Sequence, residues 1–111
     1  MSNAFGAAPL VSGQLSCNPA AAKRIVNEVA RRNEGCRAVR DMTVALPVSR
    51  WEALGVRLPG GKPLPKTELT ASLISGKARH FLVYRNYHAI LEYNCAHYYA
   101  LTVGLLSDQL R

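Results

Sequence analysis

The sequence predicts an α+β domain, mainly helical with short strands. Three features carry that expectation. Asn18-Pro19 opens an amphipathic helix. Two short β-type runs, Ala71–Ile74 and Phe81–Tyr84, are separated by Ser75-Gly76-Lys77. A long apolar helical stretch runs from Ala96 to Leu110. A chain of 111 residues has room for one small domain, and 49% hydrophobic residues make a core feasible. The aromatic residues gather after Tyr84, which places most of the expected core in the C-terminal half.

Taken in order, residues 1–17 are small, rich in Gly, Ala and Ser and without period, and read as a flexible lead. Residues 18–45 form an amphipathic helix and connector. Asn18 caps the free amides and Pro19 suits the first helical position. Ala22, Ile25, Val26, Val29 and Ala30 share a face, Lys23, Arg24, Arg31 and Arg32 occupy much of the rest, and Gly35 is the expected stop. Met42–Leu46 reads as a short strand. Ser49-Arg50-Trp51-Glu52 has the pattern of a capping box, with Trp51 and Leu54 inward and Gly55 ending the turn. Leu58–Lys66 holds three prolines and two glycines and reads as a turn, not a phosphate loop. Asn86 is expected to cap a helical turn in which Tyr87, Ile90 and Leu91 share a face. The final helix is apolar on most sides and is expected to be buried, with Gly104 permitting a close helix contact.

Fourteen Lys and Arg against seven acids give a net charge of +7. Such a surface attracts polyanions, although a basic solvated face is the favoured reading. Cys17, Cys36 and Cys95, spaced 19 and 59 apart, match no compact zinc or redox motif. Unpaired thiols with Cys95 buried are expected, and a Cys17–Cys36 bridge in an oxidising compartment is the alternative. The apolar run Ala4–Val11 lacks a preceding positive residue and is short for a signal core. Leu15-Ser16-Cys17 resembles a lipoprotein cleavage site, but Gln14 and the missing hydrophobic run argue against one. No segment approaches the roughly 20 apolar residues that cross a membrane.

General acid catalysis at neutral pH uses a group such as a carboxylic acid whose pKa is raised by burial. Glu28, Glu34, Asp41, Glu52, Glu68, Glu92 and Asp108 are the acids, and only Glu92 adjoins the aromatic cluster. A solvated carboxylate explains Glu92, and no catalytic residue is assigned. His80, His88 and His97 are eight and nine apart, unlike the four-residue spacing of metal helices, so no metal site and no cofactor are expected. Tyr93-Asn94 followed by Tyr98-Tyr99 is the remaining constellation. Sugar faces stack on aromatic rings, and an Asn amide both donates and accepts, but aromatics beside a buried helix also serve as plain core.

Several motifs in one order then point to a family. They are Trp51-x-x-Leu54-Gly55-Val56, Gly60-Gly61-Lys62-Pro63-Leu64, Ala71-Ser72-Leu73, Phe81–Tyr84, Asn86-Tyr87, Tyr93-Asn94 and Tyr99–Asp108. Over residues 46–110 the chain resembles the C-terminal segment of the B-type lytic murein transglycosylases. The resemblance implies a lysozyme-like architecture and cleavage of the MurNAc–GlcNAc bond of peptidoglycan without water. One glutamate serves as acid and then base, and the 6-hydroxyl closes a 1,6-anhydro ring. It implies that Tyr93 and Asn94 line the glycan groove with Tyr99 beside it, and that Cys95-Ala96 replaces a more polar pair. It also implies a periplasmic or cell-envelope setting, with peptidoglycan strands as partner and no nucleic acid.

The family's Glu-Ser motif does not occur here. The chain therefore reads as a C-terminal piece, inactive alone, whose apolar last helix favours self-association. Two alternatives belong to other classes: a noncatalytic peptidoglycan- or partner-binding module, and a small basic nucleic-acid binder built on Asn18–Arg32.

Overall fold

The computed structural model describes residues 10–76 and 79–109. The elements are α1 (Pro19–Glu28), α2 (Arg37–Arg40), β1 (Leu46–Pro47), α3 (Val48–Ala53), β2 (Thr70–Gly76), β3 (Arg79–Val83), α4 (Tyr87–Tyr93) and α5 (His97–Gln109). The class is α+β, as the patterning predicts.

An antiparallel sheet in the order β1-β2-β3 organises the chain. In the β2–β3 hairpin Leu73 faces Leu82 and Ile74 faces Phe81. Successive side chains of a strand point to opposite faces, and here both faces are covered. Ala71, Leu73, Leu82 and Tyr84 pack with Ile25, Trp51, Leu54 and Leu64, under α1 and α3. Ile74, Phe81 and Val83 pack with Ala38, Met42, Tyr87, Leu91 and Ala100, under α2, α4 and α5. Burial on both faces explains why these strands read as continuous apolar runs instead of alternating ones. The turn expected at Ser75-Gly76-Lys77 lies partly outside the described residues.

The lead expected over residues 1–17 is corrected from Leu10 onward; residues 1–9 lie outside the described residues. The segment after Leu10 runs antiparallel along the free edge of β3. Ser12 N–H donates to Leu82 O (2.8 Å), Leu15 N–H to His80 O (2.8 Å), and Tyr84 N–H to Leu10 O (3.0 Å). Val11 and Leu15 are buried. A Gly- and Ser-rich segment carries no strand signal of its own, yet β3 offers unpaired edge groups, and Val11 joins the core on one face of the sheet and Leu15 the core on the other. The Asp108 carboxylate receives the N–H groups of Leu10 and Val11 at 3.0–3.1 Å and ties this segment to α5.

Helix α1 begins as expected, with the Asn18 side chain accepting from Ala21 N–H (2.8 Å). It stops at Glu28, short of the expected end at Gly35. The chain after it is extended and pairs with the stretch before β1: Arg32 N–H donates to Met42 O and Val44 N–H to Ala30 O. Arg32 also turns inward, donating to Thr43 O (3.2 Å) and Ser72 Oγ (2.8 Å). Helical periodicity at Val29 and Ala30 is overridden by these tertiary bonds. Of the expected strand Met42–Leu46, Leu46 enters β1. Thr43 lies beside β2 instead, its hydroxyl accepting from Leu73 N–H (2.8 Å) and donating to Val44 O.

The capping box is also corrected. Pro47 is the residue before α3, no side chain caps it, and the Glu52 carboxylate accepts from Leu64 N–H (2.7 Å), holding the Pro-rich turn. Trp51 and Leu54 do face inward, and Gly55 ends the turn at φ +107°, where a Cβ would sit 2.7 Å from Ala21 Cβ. Asn86 precedes α4 without a side-chain cap.

Along α5 Ala100 and Gly104 are buried, while Tyr98 and Leu106 face solvent. Gly104 does permit a close approach, but to the N-terminal segment and not to a helix: a Cβ there would lie 2.5 Å from Val11 Cγ2. Gly104→Ala should therefore gain about 1 kcal/mol of helix propensity and lose about 1–3 kcal/mol to overpacking, a net destabilisation. Adding Val11→Ala should restore part of that loss. Urea unfolding of the two single variants and the double variant checks the coupling; strictly additive effects would refute it.

Candidate functional site

The end of α4 and the connector that follows it carry two of the three residues singled out by the sequence, Tyr93 and Asn94. At Asn94 the backbone leaves the helical region (φ −151°, ψ 110°) while its N–H still bonds Ile90 O (3.0 Å). Ala96 N–H then donates to Asn94 O (2.8 Å), and Ala100 N–H to Ala96 O starts α5. Tyr93, the last residue of α4, is 84% exposed, and Asn94 is exposed beside it. Tyr99 lies half-buried in the first turn of α5.

This connector is fastened twice to one short stretch. Cys95 forms a disulfide with Cys36, Cα atoms 6.4 Å apart. The expectation of free thiols with Cys95 buried, and the alternative Cys17–Cys36 pair, are both overturned. Cys36 and Cys95 are exposed, and Cys17 is the free, half-buried thiol, its pKa raised by burial. The helix packing, not chain spacing, brings the pair together: α2, which Cys36 precedes, packs against α4. Two residues on, His97 Nε2 donates to Ala38 O (2.6 Å) while His97 Nδ1 accepts from the Tyr87 hydroxyl (3.0 Å). This is the neutral imidazole with the proton on Nε2. The Tyr87 and His97 rings stack, centroids 6.0 Å apart.

Burial lowers the His97 pKa despite the Ala38 hydrogen bond and the Asp41 charge, which raise it. Burial, together with the Arg32 charge, also lowers that of His88. Above about pH 6.5 both residues are neutral in the folded and unfolded chain and contribute no pH dependence. Below it the unfolded chain takes up protons first, so stability falls with pH until the depressed folded pKa values are passed. The urea midpoint is expected to drop as the pH falls below about 6.5, with a shallower slope in His97→Gln. A slope unchanged by that substitution would overturn the assignment.

On the other side of the start of α5 lies a groove of about 830 Å³ between this helix and the β2–β3 hairpin. Phe81, Leu101 and Leu105 give it apolar walls, and Arg31, Asp41, Arg79 and Tyr98 contribute polar groups. Tyr93, Asn94 and Tyr99 are not among its lining residues; Tyr98, outside the predicted set, is, and it is 86% exposed. A sequence signal for it exists: Tyr98, Leu101, Thr102 and Leu105 follow i, i+3, i+4, i+7 spacing and share one helix face. The structure thus keeps Tyr93 and Asn94 together at the connector and points the neighbouring tyrosines apart. All seven acids are exposed or half-buried, Glu92 among the exposed ones. Among the described residues no group of side chains is arranged to hold a metal ion, and no helix is long and apolar enough to cross a membrane.

Comparison with known proteins agrees with this architecture. The model of the transglycosylase SLT domain family matches residues 20–108. The structure of SltB3 from Pseudomonas aeruginosa in complex with NAG-anhNAM-pentapeptide is similar at a TM-score of 0.63 and 27% identity, over 92% of this chain and 24% of that one. The SltB3 structure with NAG-NAM-pentapeptide matches at a TM-score of 0.55 and 36% identity, over 73% of this chain and 23% of that one. No curated protein matches the chain. The chain spans about a quarter of the length of these solved relatives. The likeness begins at residue 20, well before residue 46, so α1 and the extended stretch after it are part of it. With most of its length inside that match, the chain belongs to the transglycosylase SLT domain family, and its relatives are lytic murein transglycosylases of the B type.

Proposed function

We propose that this chain forms one wall of the glycan groove of a peptidoglycan lytic transglycosylase, touching sugar through Tyr93, Asn94 and Tyr99, and that it does not cleave glycan by itself. The observation that carries this reading is the Tyr93 ring, 84% exposed beside an exposed Asn94 on a twice-fastened connector. An aromatic face held in water next to an amide is the chemistry that stacks a sugar ring and reads its hydroxyl or acetamido groups. The peptidoglycan fragments bound by the SltB3 relatives support the substrate class.

The absence of cleavage rests on the acids. A proton donor for a glycosidic oxygen is a carboxyl group kept protonated by burial. Every acid of this chain is exposed or half-buried, and no Glu-Ser pair occurs. In the complete reaction a glutamate protonates the departing oxygen and then accepts the proton of the 6-hydroxyl as the 1,6-anhydro ring closes. That glutamate would come from outside this sequence. The disulfide fits the oxidising periplasm in which peptidoglycan is remodelled.

Binding to purified sacculi tests the reading. Tyr93→Ala and Asn94→Ala should each weaken retention roughly five-fold, the worth of one lost stacking contact or hydrogen bond. Retention unaffected by both would refute the groove assignment. Release of 1,6-anhydro muropeptides by the chain alone would refute the statement about catalysis.

A further inference from the structure

We infer that the Cys36–Cys95 disulfide is a positioning element for the glycan contact, holding the Tyr93–Asn94 connector in the geometry that meets sugar. The inference rests on the groove assignment above and adds what keeps that surface in place.

The geometry points this way in three steps. First, Tyr93 and Asn94 are exposed, and no side-chain hydrogen bond joins either to another described residue. Their placement is therefore inherited from the backbone that carries them. Second, that backbone breaks its helix at Asn94, an extended residue whose backbone bonds reach only its near neighbours, Ile90 O and Ala96 N–H, so that neither bond ties the connector to another part of the fold. Third, two fastenings supply that tie. Cys95, next to Asn94, is bonded to Cys36, and His97 donates to Ala38 O at 2.6 Å. Both fastenings land within Cys36–Ala38, so the connector is held to one rigid stretch at its middle and at its end.

The two cysteines are exposed, so the bond adds little apolar burial and its effect is geometric. Ordering a loop costs conformational entropy either during folding or during binding. A covalent bond beside Asn94 shifts that cost to folding and leaves a preformed contact for the glycan. Cys36 and Cys95 act through Tyr93 and Asn94 and touch no substrate themselves.

The experiment uses the full 111-residue chain with Cys17→Ser as background, which removes the only other thiol. The disulfide-bonded form is compared with Cys36→Ser/Cys95→Ser for binding to purified sacculi and for amide hydrogen exchange at low temperature. The expected result is roughly ten-fold weaker binding without the bond, the entropy of re-ordering about one residue. Faster exchange should be confined to residues 94–97, with Leu73 and Leu82 still protected in the sheet. Equal affinity in a folded variant overturns the inference. Exchange accelerated throughout the sheet also overturns it, because the bond is then a general staple. If the disulfide-bonded form itself does not bind sacculi, the groove assignment fails, and this inference fails with it.

Discussion

Trp51→Ala is expected to cost about 4 kcal/mol or more and to leave much of the chain unfolded, because two losses coincide. Trp51 is fully buried beneath the sheet among Ile25, Leu54, Leu64 and Leu73. Emptying such a site costs about 3–5 kcal/mol in lost transfer energy and residual cavity. The indole Nε1 also donates to Ala71 O at 2.8 Å in a buried setting. Without it that carbonyl loses a side-chain donor, worth about 1 kcal/mol or more. A domain of this size has about 5–15 kcal/mol in total, so the sum is a large share. Trp51→Phe keeps most of the apolar volume and removes the donor, and should cost clearly less. Urea unfolding followed by far-UV circular dichroism ranks the variants, and equal costs for Ala and Phe would mean that the hydrogen bond, not the packing, holds α3 to β2.

Trp51 also marks how much of this fold is legible in the chain itself. Local signals that agree with tertiary packing read correctly. The Asn18 cap, the inward Trp51 and Leu54, the stop at Gly55 and the β2–β3 pairing all follow from residue type and spacing. Signals fail where distant partners decide. Val29–Arg32 has helical periodicity, but Arg32 gains Thr43 O and Ser72 Oγ only when the chain is extended. Ser49–Glu52 has capping-box spacing, yet the helix starts two residues earlier, after Pro47, and Glu52 serves Leu64 N–H instead. Leu10–Ser16 has no pattern of its own and takes its shape from the open edge of β3.

The candidate site divides in the same way. Tyr93 and Asn94 are visible as a motif, and both are exposed. Tyr98 and the groove beside it require knowing which face of α5 meets the hairpin. The cysteine pairing is illegible for a simple reason: separation along the chain says nothing about which thiols a fold brings within bonding distance. Cys36 and Cys95 are 59 residues apart and meet because the start of α2 packs beneath the end of α4. The family resemblance supplied the order of the C-terminal motifs but not the extent of the likeness, since α1 and the stretch after it carry few distinctive residues.

Tyr87→Ala should be the most damaging change on the opposite face of the sheet, at about 3–5 kcal/mol. Tyr87 is fully buried in the cluster formed by Met42, Ile74, Phe81, Leu91 and Ala100. Burial holds its phenol well above the ordinary range, so it stays a protonated donor. That hydroxyl reaches His97 Nδ1 at 3.0 Å, and the ring stacks on the imidazole. Tyr87→Phe isolates the two contributions: packing and stacking survive, one hydrogen bond is lost, and the cost should be near 1 kcal/mol. The phenylalanine variant should keep the proposed glycan contact, because His97 still donates to Ala38 O and the disulfide is intact. Thermal melting checks the stabilities and sacculus binding checks the contact. A phenylalanine variant as unstable as the alanine one would show that the Tyr87–His97 hydrogen bond, and not the apolar cluster, joins α4 to α5.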